Sequence, residues 1–297
     1  MKIYLRTRGK QEDYQWINAD GLNGTPEEWW GNNFKDLSRF EKPTVIVTRN
    51  NQSLKILITA ITSKRKDELS GTLLRNSIDM VFEDLSSVPQ EIRKSLFMIV
   101  FSRLCNIKNI CEGADSLKSC FSEYFDEILP EDLIESIFAG TFNGKIKIDV
   151  KDLAMRCDTL PVTGGERKIE LTEDNFYFCN IKFDKTLSVV GKFLYEVIVG
   201  STEATVVFGN LLNKVESLKG VKANLKQTLL LAYLSSGIEE KSIISFKYNK
   251  PSDENSEGNQ YLYSSTEMKY CGLICFVLGV LIGVGIMTIS FYTNLLH

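Results

Sequence analysis

Polar and apolar residues alternate from the start of the chain. In Ile3-Tyr4-Leu5-Arg6-Thr7-Arg8, the side chains of Tyr4, Arg6 and Arg8 fall on one side of an extended chain, and Ile3, Leu5 and Thr7 on the other. That period of two predicts a β-strand. Tyr14-Gln15-Trp16-Ile17 is a second short strand, and Thr44 to Thr48 (TVIVT), after Pro43, is a third. Leu54 to Ile61 (LKILITAI) is apolar on both parities, as expected of a strand buried on both faces. Asn50-Asn51 between the last two is a turn signal and predicts a hairpin.

The period then changes. Leu74, Ile78, Val81, Phe82 and Leu85 keep the 3–4 spacing of an amphipathic helix. Pro89 opens a second helix carrying Ile92, Leu96, Ile99, Val100 and Leu104. A third carries Leu117, Cys120, Phe121, Tyr124, Phe125 and Ile128, and Pro130 stops it. Strands followed by helices predict an α+β domain over residues 1–140. A second, smaller α/β unit is expected over 141–249. It opens with Ile146 and Ile148 alternating with charged residues. It has strand candidates at 176–183 and 242–247, a helix through Val190, Phe193, Leu194, Val197 and Ile198, and another helix over Leu225–Leu234.

Two further segments break the pattern. Residues 250–269 are polar and acidic, with Pro251 and Gly258, and read as a flexible linker. From Tyr270 to Thr293 no residue is charged. As a helix this run spans roughly 35 Å, enough for a hydrocarbon core of about 30 Å. It predicts one C-terminal transmembrane helix, with Tyr270 and Tyr292 at the interfaces. Lys269 precedes the span, and the N-terminus has no apolar segment of signal-peptide length, so the expected topology is tail-anchored with the body in the cytoplasm. Gly279 and Gly283 form a GxxxG face that predicts self-association of the span as a homo-oligomer in the bilayer.

Composition narrows the chemistry. The formal net charge is −3, with 43% hydrophobic and 25% charged residues, so nothing in the total points to nucleic acid. The seven cysteines contain no CxxC pair, which favours buried thiols in a reducing compartment. The one histidine is His297, so within this chain triads built on histidine and histidine-rich zinc sites are excluded unless the last residue is recruited. No Walker A, GxGxxG, GxSxG or HExxH motif is present, and no cofactor is implied.

The densest polar stretch is Thr62–Asp84. Arg65, Asp67, Arg75 and Asn76, joined by Arg6 and Arg8 if the first strand is adjacent, form a candidate site for a phosphate or nucleotide-like ligand. The competing expectation is a solvated helix face with an Arg75–Asp79 ion pair. The spacing of Asp67, Asp79, Glu83 and Asp84 singles out no metal. Trp16, Trp29 and Trp30 read as a loop packed onto the sheet, or else as a partner-binding surface. The expected function is a membrane-tethered protein that senses a ligand or binds a partner and acts as a membrane-perturbing effector. The alternatives are a tethered enzyme acting on a phosphate-containing substrate and a passive scaffold.

Overall fold

The computed structural model describes residues 1–21, 24–30, 40–157, 175–181, 184–209, 228–233 and 243–247. Residues 1–248 form one compact unit. The linker and the apolar run with Gly279 and Gly283 lie outside the described residues. Among the described residues no helix is long and apolar enough to cross a membrane.

The compact unit is an α+β body built on one mixed sheet. Among the described residues its strands are β1 (Lys2–Thr7), β2 (Gln15–Asn18), β3 (Thr44–Asn50), β4 (Ser53–Lys66), β5 (Leu73–Phe82), β6 (Asn175–Asn180), β7 (Ala204–Gly209), β8 (Thr228–Tyr233) and β9 (Ile243–Lys247). They lie in the order β2-β1-β5-β4-β3-β7-β8-β6-β9. Six neighbouring pairs are antiparallel; β7–β8 and β8–β6 are parallel. The sheet continues across residue 140 through the β3–β7 ladder. The expected β3–β4 hairpin is present, and Asn51 in its turn has φ 52, a conformation asparagine tolerates.

Among the described residues five α-helices accompany the sheet: α1 (Gln90–Cys111), α2 (Cys120–Ile128), α3 (Glu131–Phe138), α4 (Val150–Arg156) and α5 (Asp184–Ile198). Their ends follow local chemistry. Pro89 precedes α1, Ser119 accepts from the Ser122 amide at 3.1 Å to cap α2, and Asp149 caps α4 through the amides of Lys151 and Asp152. The core lies on the helix side of the sheet. There Leu5, Ile56, Ile58, Ile78 and Met80 meet Leu96, Ile99 and Leu104 of α1, Phe121 and Phe125 of α2, and Leu194 of α5.

Three elements depart from the expectation. Leu74–Phe82 is not a helix but strand β5, paired with β1 on one side and β4 on the other. A central strand carries apolar residues on both parities, and that density mimics a 3.6 period. Gly71 (φ 66) accordingly sits in the β4–β5 turn. Residues 228–233 form strand β8 instead of a helix, because a short run of leucines satisfies either period and the neighbours β6 and β7 decide. The alternation at Ile146 and Ile148 forms no strand; the chain there leads directly into α4.

Candidate functional site

The strand assignment of β5 reorganises the polar stretch. Its residues separate by sheet face, so the six candidate ligand residues divide into three groups.

Arg8, Arg65 and Asp67 come together where β1 ends beside the β4–β5 turn. The Arg8 guanidinium pairs with the Asp67 carboxylate, and its Nε donates to the Glu12 carbonyl at 3.2 Å. Arg65 donates to the Arg8 carbonyl at 2.8 Å and to Thr7 Oγ1 at 2.7 Å. Asp67 also accepts from the amides of Leu69 (3.0 Å) and Ser70 (2.6 Å), which hold its carboxyl below the ordinary range. Burial lowers the Arg65 guanidinium from its usual value. The hollow bounded by Arg8, Arg65, Asp67 and Glu131 is about 20 Å³, room for one water but not for a phosphate. These charges are engaged with the chain itself. They clamp the end of β1 to the turn.

Arg6 and Arg75 lie on the sheet face opposite the helices, grouped around Tyr14. The Arg6 guanidinium sits 4.6 Å from the Tyr14 ring centroid and 4.3 Å from that of Phe40. The Arg75 amide donates to Tyr14 Oη at 3.0 Å, and its guanidinium donates to the Glu41 carbonyl. The expected Arg75–Asp79 pair does not form. Asp79 instead accepts from Trp29 Nε1 at 3.0 Å, and burial pushes its carboxyl up to about 7. Trp16, Trp30 and Phe40 pack edge-on or tilted over this face, with Trp30 only 2% exposed. Glu83 pairs with Lys2 at 2.7 Å.

Asn76 is alone on the helix side, 1% exposed, with no partner for Oδ1 among the described residues. It pairs with Ile61 beyond a bulge in β4 where Ala60 takes φ 53. The bulge turns the Thr59 and Ala60 carbonyls toward α1, and Arg103 donates to both at 2.9 Å and to Asn106 Oδ1 at 2.8 Å. Among the described residues no carboxylate pairs with Arg103. Its guanidinium, 5.5 Å from the Phe121 ring centroid, is drawn down to about 10 by burial. The sequence gives no warning of this residue, because its apolar neighbours on α1 make it look like a solvated position on a helix.

The sequence also misses a cleft of about 460 Å³ between the start of α1 and the start of α4. Phe82, Val88, Ile92 and Ile148 line it, with Lys147 and Lys151 beside them. An apolar floor edged by two ammonium groups and the Asp149 carboxylate suits an amphiphile with a polar head. Among the described residues no three His, Cys, Asp or Glu side chains gather where a metal ion could be held. No family model, no curated protein and no solved structure matches this chain.

Proposed function

We propose that this chain is a single-pass, tail-anchored membrane protein whose body stands in the cytoplasm, senses a ligand or binds a partner, and assembles through its span as a membrane-perturbing effector. The observation that carries the reading is the uncharged apolar run from Tyr270 to Thr293, long enough for a bilayer and preceded by Lys269. A role in binding without catalysis is supported by the engagement of Arg8, Arg65 and Asp67 with their own chain, which leaves no open phosphate cradle there. The cleft beside α1 and α4 supports a binding body.

Carbonate extraction of membranes tests the anchor. The full-length protein is expected in the pellet. Leu281→Arg combined with Ile282→Arg places two charges at the centre of the span, each costing about 3 kcal/mol of insertion, and is expected to move the protein to the supernatant. A double variant that stays in the pellet would show that some other segment holds the protein to the membrane.

A further inference from the structure

We infer that Cys120 and Cys157 form a reactive dithiol, a modification site at which a peroxide closes a reversible disulfide between α2 and the end of α4.

The geometry is already close to a bond. The two Sγ atoms lie 3.3 Å apart, and a disulfide needs about 2.0 Å. Packing holds the two segments together. Tyr124 of α2 shares hydrogen bonds with Asp149, the cap of α4, accepting from its amide at 2.7 Å, and Arg156 bonds both Glu127 of α2 and Asp152 of α4. A short shift of side chains therefore suffices. The thiols are 37 positions apart in sequence, in a chain without CxxC spacing, so only the fold brings them together.

The two thiols are not equivalent. Cys120 is partly exposed and is the first residue of α2, directly after the capping Ser119, where helix amides favour an anion. Its thiol is held below the ordinary value, chiefly by the hydrogen bond with Cys157, with further help from Ser102, the Phe121 amide and the charge of Arg103. The buried Arg103, which lacks a carboxylate partner among the described residues, thus lies where a Cys120 thiolate gains from its charge. Cys157 is 5% exposed. Cys120 is the attacking thiol and Cys157 the resolving one.

The chemistry balances with hydrogen peroxide as oxidant. The Cys120 thiolate attacks one peroxide oxygen, the O–O bond breaks, and hydroxide leaves and is protonated to water. The resulting sulfenic acid is attacked at sulfur by Cys157. The S–O bond breaks as the S–S bond forms, and the departing hydroxide takes the Cys157 proton. Two thiols and one peroxide give one disulfide and two waters. A dithiol reductant reverses the bond by exchange.

The test uses the full chain and peptide mass spectrometry after peroxide, alkylating quench and trypsin without reduction. Cleavage at Lys118 and Arg156 puts the two cysteines on peptides 119–145 and 157–167, separate from Cys105 and Cys111. The expected product is these peptides joined, lighter by two hydrogens than their sum, and released by dithiothreitol. In Cys157→Ser, dimedone should label Cys120. Cys120 fully alkylated after peroxide, or joined to another cysteine, would overturn the assignment, and neither outcome depends on a variant folding. Dimedone labelling of Cys157 in Cys120→Ser, at the rate seen for Cys120 in Cys157→Ser, would overturn the division of roles.

Discussion

Asp79 shows how one side chain's surroundings set a property of the whole chain. It sits mid-strand between β1 and β4, opposite Tyr4 and Leu57, with one oxygen held by Trp29 and the other without a partner among the described residues. Burial raises its carboxyl from 3.8 to about 7. Below about pH 4 the folded and unfolded chains both hold this proton. Between about 4 and 7 only the folded chain does, so stability falls as pH rises through that window and levels off above it. The full difference is on the order of 4 kcal/mol. The carboxylates held low by bonding, Asp67, Glu83 and Asp84 among them, act below this window and in the opposite sense. Asp79→Asn keeps an acceptor for Trp29 and has no charge to bury. Its urea midpoint should be nearly flat from pH 5 to 8, and above the parent's at pH 8. An asparagine variant with the parent's slope would show that another group titrates there.

At the scale of elements, the β4 bulge and α1 depend on each other through Arg103. The bulge frees two carbonyls, and the guanidinium satisfies both inside the core. Arg103→Met keeps much of the volume but leaves both carbonyls without donors, at about 1–3 kcal/mol each when buried. Some of that returns because a buried cation no longer needs desolvation. A net loss of about 3 kcal/mol in chemical denaturation is expected; a change below about 0.5 kcal/mol would show that the bulge carbonyls find other donors. This arrangement was invisible in the sequence. What was legible were elements whose local signal and tertiary setting agree: β1, β3, the β3–β4 hairpin, α1 and α2, where proline or a polar cap marks the start or stop, and α5, through its apolar spacing. β5 and β8 were not legible, because a strand flanked on both sides loses the alternation that distinguishes it from a helix. The candidate residues are dispersed for the same reason. Arg75 and Asn76 are adjacent on a helix surface but face opposite sides of a sheet, so one misread period separated Asn76 from Arg75 and Arg75 from Arg65. Arg8 with Asp67 was only half recoverable: alternation marked the strand that ends at Arg8, but β4 runs on to Lys66, past the apolar run that ends at Ile61.

At the scale of the whole molecule, the body and the apolar run carry different parts of the proposal, and assembly through the span can be tested by itself. Gly279 and Gly283 are four residues apart, so in a helix both lie on one side. In lipid, apolar helices gain no hydrophobic energy by meeting, and close backbone approach at small residues supplies the attraction. Isoleucine at both positions adds branched side chains where two backbones would touch, while leaving the segment at least as apolar. Chemical crosslinking of full-length Gly279→Ile/Gly283→Ile protein in membranes should therefore give far fewer oligomers, with carbonate resistance intact. Membrane leakage on overexpression should fall with the oligomers if assembly through the span perturbs the bilayer. Crosslinking unchanged from the parent would place the assembly surface on the body. Crosslinking lost while leakage persists would leave the span as an anchor whose association does no work of its own.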